Sequence, residues 1–484
     1  MTRLLIKGGS IVSMDAGVKD LPRGDVLVES GRIAAVAPAL EADNAEIIDA
    51  AGMIVLPGLI NAHVHTWQSA LRGIGGYWTV AKYMQAMHGG RAGHFRPEDV
   101  YIANLMGALN SLNNGTTTLV DWCHVNRTPE HTDAAVEGLA ESGARALFLH
   151  GSPKPDAKSG ERHYSEIPMP RSEIERLRKG RFASHDGLVT LGLAILGPSY
   201  SVREVTLSDV RLAREFGLIV SMHVGGGAVM QPDGFQRLID DGLVADNFNI
   251  VHGNDMEPDL VRRLAGQGVQ FTATAEIELQ MGYGDPLTGI LQACGSPMSI
   301  GTDVEPASRG DMFSAMRTTL QHERHRRTLE ILAESGSRPL DIPVTTRQAL
   351  EWATINGARM AGLEQQIGSL TPGKQADIVL MRADDLALFP VTDAVASLVM
   401  QGGVANVDTV LVAGRIVKRN GRLLYPALAE KKAALKASGE QILTDFGLLP
   451  RDAPDDATPP AHPAASADGR ARRHRSLRKT RRCG

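Results

Sequence analysis

The sequence predicts an α/β protein: a (β/α)8 TIM-type barrel set into a small β domain that both ends of the chain build together. Three observations predict it. Eight short apolar runs alternate with helical stretches through the middle of the chain, the pattern of βα units and a parallel sheet. The first 57 residues are instead β-branched runs broken by Gly, Asp and Ser: "LLIKGGSIVSM", "GDVLVESGRIAAV" and "AEIIDAAGMIVL". Far downstream, "DTVLVAGRIVKRNGRLL" (408–424) echoes "GDVLVESGRIAAV" in pattern and spacing.

Taken in order, Ser30-Gly31 supplies a turn between two strands and predicts a hairpin. "GSLTPGKQADIVLM" (368–381) reads as a further hairpin-like segment. The composite β domain therefore takes 1–57 and 365–425, and the barrel takes 58–364. Candidate barrel strands are 58–65, 116–124, 145–151, 188–196, 217–223, 247–253, 268–274 and 297–303. Helical patterns lie between them, such as "PEDVYIANLMGALNSLNNG", which runs out at Asn-Gly. Residues 66–96, with "GIGGYW" and "MHGGRAG", exceed an ordinary loop and suggest a lid. A C-terminal helix is expected over 426–450, then a disordered tail over 451–484, rich first in Pro and Ala and then in Arg.

A chain of 484 residues, 43% hydrophobic and 22% charged, is globular and too long for one simple core. Its three cysteines, Cys123, Cys294 and Cys483, form neither a disulfide framework nor a CxxC site, which favours the cytoplasm. No signal peptide and no membrane-spanning apolar run is read. The net charge of −4 includes eight Lys or Arg within 469–484, so the rest of the chain is more acidic still. Nucleic-acid binding is not expected of that body, and the basic tail reads as solvated.

The chemistry lies at the strand ends, where a TIM-type barrel carries its site. In "NAHVH", His63 and His65 are two apart and so face the same side of a strand. His223 ends the fifth strand, His252 the sixth and Asp303 the eighth. The intervals of 29 and 51 residues are one and two βα units, which puts all five residues on one rim. An isolated HxH is a weak signal, but five such residues at matching strand ends are hard to explain as core packing. Imidazole nitrogen with carboxylate oxygen suits Zn²⁺ or Fe²⁺. Such a metal makes water a nucleophile near neutral pH. Asp303 can take the water's proton and pass it to a leaving group, and His252 can orient the water or polarise the substrate.

The segments "PGLINAHVHTWQSALRG", "NNGTTTLVD", "SMHV", "VHG", "IGTD" and "GSLTPGKQADIVL" resemble the amidohydrolase superfamily. The nearest likeness is to its branch of cytosine, adenosine and S-adenosylhomocysteine deaminases and triazine (atrazine-type) chlorohydrolases. The resemblance covers residues 1 to about 425. It implies a distorted barrel with a composite β-sandwich. It implies His63, His65, His223 and Asp303 as ligands of one divalent metal, with His252 beside the attacking water. The implied activity is hydrolysis of an amino-substituted, flat heterocycle or a related non-peptide C–N bond. Loss of halide from a similar ring is the alternative, and a metal-loaded binding protein without turnover is a second. Binuclear relatives use a carboxylated lysine at the end of strand four. Here "LAILGPSYS" offers none, which implies a mononuclear site. Relatives commonly form dimers or tetramers, so a homo-oligomer is an open expectation.

One position departs from the branch. A glutamate that shuttles protons usually stands three residues after the strand-five histidine, and here "HVGGG" places Gly226 there. The glycine removes an acid and is expected to open space. Three readings compete: Asp303 and His252 handle protons unaided, Glu276 or Glu278 substitutes, or the reaction is not deamination. Glu276 is taken as the catalytic substitute and Glu278 as a substrate contact. Trp67, Gln68 and Trp78 follow the first motif, as does Tyr77. Two of the chain's four tryptophans beside that motif suggest stacking on a flat ring. His124 ends strand two and is taken as a further substrate contact. His150 ends strand three and fits a pocket or a structural role equally. His322 and His325 read as a solvated helix face.

Overall fold

The computed structural model describes residues 3–446 apart from 156, 185, 227 and 228. The tail expected over 451–484 lies outside the described residues.

The N-terminal segment folds as β1 (Arg3–Ile11), β2 (Leu21–Glu29), β3 (Arg32–Ala37), β4 (Glu46–Asp49) and β5 (Met53–Pro57). Between β2 and β3, Ser30 and Gly31 both take positive φ, 50° and 80°. Two such residues suit a right-twisted hairpin, and β2 and β3 pair antiparallel.

Eight parallel strands follow: β6 (Leu59–Val64), β7 (Thr116–Cys123), β8 (Arg145–Gly151), β9 (Val189–Ile195), β10 (Val220–Val224), β11 (Phe248–His252), β12 (Gln270–Ala273) and β13 (Met298–Ile300). Each pairs with its neighbour in chain order. The end of the last returns to the first: His65 N–H donates to the Asp303 carbonyl at 2.9 Å, and Asp303 N–H donates to the His63 carbonyl at 3.0 Å. Gly301 permits this seam, because a Cβ there would stand 2.5 Å from the His63 carbonyl oxygen. Ile60, Ala62, Val120, Trp122, Leu147, Leu149 and Val251 fill the interior. Strands buried on both faces read as continuous apolar runs, which is why all eight were visible in the sequence.

The chain then adds β14 (Ile378–Arg382), β15 (Val407–Val412), β16 (Arg415–Arg419) and β17 (Arg422–Leu423). β14 pairs antiparallel with β5, Ile378 opposite Pro57. The two chain ends thus share one nine-stranded mixed sheet. Its core joins Leu4, Ile6 and Val26 to Ile378 and Leu411. The sequence echo is a geometric one: Ala413-Gly414 and Asn420-Gly421 repeat the positive-φ turn of Ser30-Gly31. The expected hairpin over 368–381 is corrected. Only β14 is a strand there, and Gln375 makes a lone bridge to Arg32. Pro372 has no N–H to give a ladder, and the turn instead bonds across, Gly373 N–H to the Ile33 carbonyl at 2.8 Å.

Residues 66–96 fold as short helical turns, Thr66–Leu71, Val80–Tyr83, Met84–His88 and Arg91–His94. They are anchored on two sides. Asp121 accepts from the Thr66 N–H (3.0 Å) and hydroxyl (2.6 Å). The Arg91 guanidinium lies 4.5 Å from the Phe446 ring centre, just past the helix Leu428–Asp445. No helix among the described residues is long and apolar enough to cross a membrane.

Candidate metal centre and active site

β6 presents His63 and carries into His65; β10 presents His223, β11 His252, and the turn after β13 Asp303. One donor atom from each of His63, His65, His223 and Asp303 lies within 4.8 Å of the others. The Nε2 atoms of His63 and His65 are each 3.2 Å from Asp303 Oδ1, and His223 Nε2 is 3.1 Å from His63 Nε2.

The donor set asks for a cation. His65 Nδ1 lies 2.7 Å from the Trp122 carbonyl, which can only accept. That nitrogen carries the proton, so in the neutral ring Nε2 is a bare lone pair aimed at a carboxylate oxygen. Burial pushes the His63 imidazole down to about 3, and it also holds His223 well below its ordinary value. Burial raises the Asp303 carboxyl, but the hydrogen bonds of His63 and His65 outweigh it and hold the group well below the usual carboxylate range. Neutral imidazoles and an ionised carboxylate converging on one point are the donors a divalent metal binds.

His252 stands at the edge of this cluster, its Nε2 3.9 Å from Asp303 Oδ2. Its Nδ1 lies 3.2 Å from Glu278 Oε1, and Glu278 also accepts from the Thr274 N–H at 2.8 Å. His252 and Asp303 both hold left-handed φ, 67° and 58°. Such a conformation is costly for a non-glycine residue and collects at functional sites.

The other expected contacts separate. Glu278 is fully buried and holds His252, so it props the site from behind and is not open to substrate. Glu276, two residues earlier on the short helix Ala275–Met281, turns to the Ser314 hydroxyl. Burial raises its pKa, and its charged neighbours are Asp311, Arg309 and Arg317. The structure does not bring it into the cluster. Trp67 is fully buried, with its ring against Phe95 and its indole N–H given to His124 Nδ1 at 3.2 Å. Gln68 is buried and donates to the Tyr83 hydroxyl at 2.7 Å. Neither offers a face for stacking. Trp78 is half-buried with Arg91 over its ring at 5.5 Å, and Tyr77 is fully exposed. His124 stacks on His65, ring centres 4.7 Å apart. His150 is buried beside Thr132, and His322 pairs with Asp285.

Gly226 is a second correction. The space beside it is filled, since a Cβ there would meet Val80 Cγ2 at 2.7 Å and Tyr283 Cε1 at 3.0 Å. The Tyr283 ring lies 4.5 Å from the His252 ring, and burial, then Asp303, raises its phenol well above the ordinary value. Tyr283, Tyr83, His88 and Lys154 went unnoticed in the sequence because none ends a barrel strand and no motif marks them.

The amidohydrolase family matches residues 54–417. The chain belongs to the amidohydrolase family. A 5-methylthioadenosine/S-adenosylhomocysteine deaminase of Desulforudis audaxviator is 31% identical over 451 residues, covering 87% of this chain and 95% of that one. The fold is shared with an adenosine deaminase of Xanthomonas campestris with bound zinc (TM-score 0.76, 24% identity, 92% of this chain and 99% of that one). It is shared as well with an atrazine chlorohydrolase of Arthrobacter aurescens complexed with zinc (TM-score 0.77, 22% identity, 90% and 100%). This amidohydrolase is a deaminase-like hydrolase of carbon–nitrogen bonds other than peptide bonds. It depends on a divalent metal and acts on a small molecule.

Proposed function

We propose that this amidohydrolase deaminates an amino-substituted purine or a closely related flat ring, with one Zn²⁺ held by His63, His65, His223 and Asp303. The observation that carries the reading is the convergence of two imidazole nitrogens on Asp303 Oδ1, each at 3.2 Å, with a third imidazole beside them. Zinc is favoured over iron because both solved structures above hold zinc. The purine is favoured because the Desulforudis relative is named for adenosine derivatives. Three sparse cysteines support a cytoplasmic location.

When bound, the metal supplies the Lewis acidity that makes water nucleophilic near neutral pH. The chain's own groups handle the protons. Asp303 is ionised and accepts a proton from the attacking water. Glu278 takes the hydrogen bond of His252 Nδ1, which leaves His252 Nε2 as an acceptor facing the same water. The proton must then reach the leaving nitrogen, so that ring–NH₂ and water give ring carbonyl and ammonia. Tyr283 occupies the place beside Gly226, where the family's glutamate would stand, and as a neutral phenol it can donate a hydrogen bond to the ring.

The test is a panel of aminopurines, aminopyrimidines and aminotriazines assayed for ammonia. Chelation should abolish release and Zn²⁺ should restore it. The missing glutamate favours one rival, because halide leaves without a proton. Chloride from a chlorotriazine with no ammonia from any amine would establish that rival and overturn the deaminase reading.

A further inference from the structure

The metal donors are covered. His63, His65 and Asp303 are 0%, 1% and 3% exposed. Residues 66–96 supply the cover, because they touch three of the loops that follow the barrel strands. His88 Nε2 lies 3.1 Å from Nε2 of His124, which stacks on His65 just past β7. Val80 lies against Gly226, three residues past His223 and beyond β10. Gly73 and Gly75 give their N–H groups to the Pro306 carbonyl, beyond β13, at 3.1 and 3.0 Å. A small molecule reaches donors buried in this way only when the cover moves.

Both roots of this segment are fixed. At the first, Thr66 is held by Asp121, and Ala70 is pressed by the helix Leu428–Asp445, where a Cβ on Gly439 would stand 2.4 Å from the Ala70 carbonyl oxygen. At the second, the Ser438 hydroxyl of the same helix donates to Asp99 Oδ1 at 2.8 Å. Residues 77–88 stand between two glycine pairs, Gly75-Gly76 and Gly89-Gly90, of the kind that serve as hinges. Arg91 ties this middle part to the fixed helix. Its Nη1 donates to the Ala86 carbonyl at 2.8 Å, and its guanidinium lies 5.5 Å from the Trp78 ring centre, both in the middle part. The same guanidinium lies 4.5 Å from the ring centre of Phe446, which follows the helix. Gly90 makes room for that ring, since a Cβ there would meet Phe446 Cε2 at 2.6 Å. Arg91 is 4% exposed, and a guanidinium out of water gains most from an aromatic face.

We propose that Arg91 and Phe446 form a latch that holds residues 77–88 closed over the metal centre, and that its release admits the substrate. Loss of one desolvated cation–π contact shifts an equilibrium by roughly 5–30-fold, enough to govern opening without unfolding the barrel. The inference goes beyond the deaminase reading and does not depend on which ring is the substrate.

The first arm of the test is amide hydrogen exchange of the full-length protein, read by mass spectrometry. Phe446→Leu keeps apolar bulk and removes the ring, Phe446→Tyr keeps the ring, and Arg91→Met keeps the stem and removes the charge. Phe446→Leu and Arg91→Met should each speed exchange over 79–90 by roughly 5–30-fold, with β7 unchanged and Phe446→Tyr close to wild type. A variant carrying both Phe446→Leu and Arg91→Met should exchange there little faster than Arg91→Met alone, since the two changes break one shared contact. Wild-type exchange over 79–90 in Phe446→Leu overturns the proposal. Faster exchange spread evenly through β7 overturns it as well, because that marks a merely structural role. The second arm follows zinc loss from the holoenzyme to dipicolinate. In Phe446→Leu that loss should speed by the same factor as the exchange. Faster exchange with zinc lost at the wild-type rate would show a segment that opens away from the site, and would overturn the gating. A chain that binds no zinc would remove the metal reading, while exchange still decides the latch.

Discussion

Restoring the family's glutamate by Gly226→Glu should fail, and the structure gives the size of the failure. Gly226 sits at φ 77°, where a side chain costs about 1–2 kcal/mol. Its new Cβ would lie 2.7 Å from Val80 Cγ2 and 3.0 Å from Tyr283 Cε1, and overpacking of that kind costs about 1–3 kcal/mol. The sum is about 2–5 kcal/mol. Unfolding entropy near 1 kcal/mol/K for a chain of this size turns that into a fall in Tm of roughly 2–5 °C. Differential scanning at one fixed scan rate measures it, beside ammonia release on the best amine. Gly226→Ala, with the same backbone and the same Cβ, should account for most of the fall. A Gly226→Glu protein with wild-type Tm and faster ammonia release would refute the reasoning, because it would show that Val80 and Tyr283 yield the space.

Glu278→Gln should lower kcat by about 10–100-fold at unchanged metal content, because it weakens the hold on His252 Nδ1; Glu276→Gln, on the Ser314 side, should change kcat less than about threefold. Asp209 is buried on the Arg203–Phe216 helix, where it accepts from the Met169 N–H at 2.8 Å, and burial raises it to about 7. A raised acid stabilises the fold below its unfolded value of 3.8 and loses that contribution as pH rises through about 7. Asp209→Asn should therefore gain Tm relative to wild type between pH 5 and pH 8, by up to about 3 kcal/mol in stability, in scans at both pH values. Removing residues 451–484 should leave Tm and kcat unchanged, since that stretch has almost no apolar side chains to pack; a large fall in Tm would show that it docks.

The barrel was legible because strands covered on both faces are written as apolar runs, and the rim because its residues end those strands. The composite sheet was legible through a repeated turn, Ser30-Gly31 and Ala413-Gly414. What the sequence hid depends on direction. Glu276 and Glu278 are two apart on a short helix, so one faces Ser314 and the other His252, and no pattern of residue types says which. Trp67 and Trp78 looked alike beside the first motif, yet one is locked to His124 and the other lies under Arg91. The absence of a side chain at Gly226 suggested empty space, but the room had been taken by Val80 and Tyr283, from elements distant in the chain.

The central claim is one divalent metal held by His63, His65, His223 and Asp303. The most direct measurement is the metal-to-protein ratio of the purified protein and of Asp303→Ala, taken by elemental analysis with circular dichroism to confirm folding. The account predicts a ratio near one for wild type and near zero for the folded variant. A reproducible ratio near two, or a folded Asp303→Ala that keeps its metal, would contradict it.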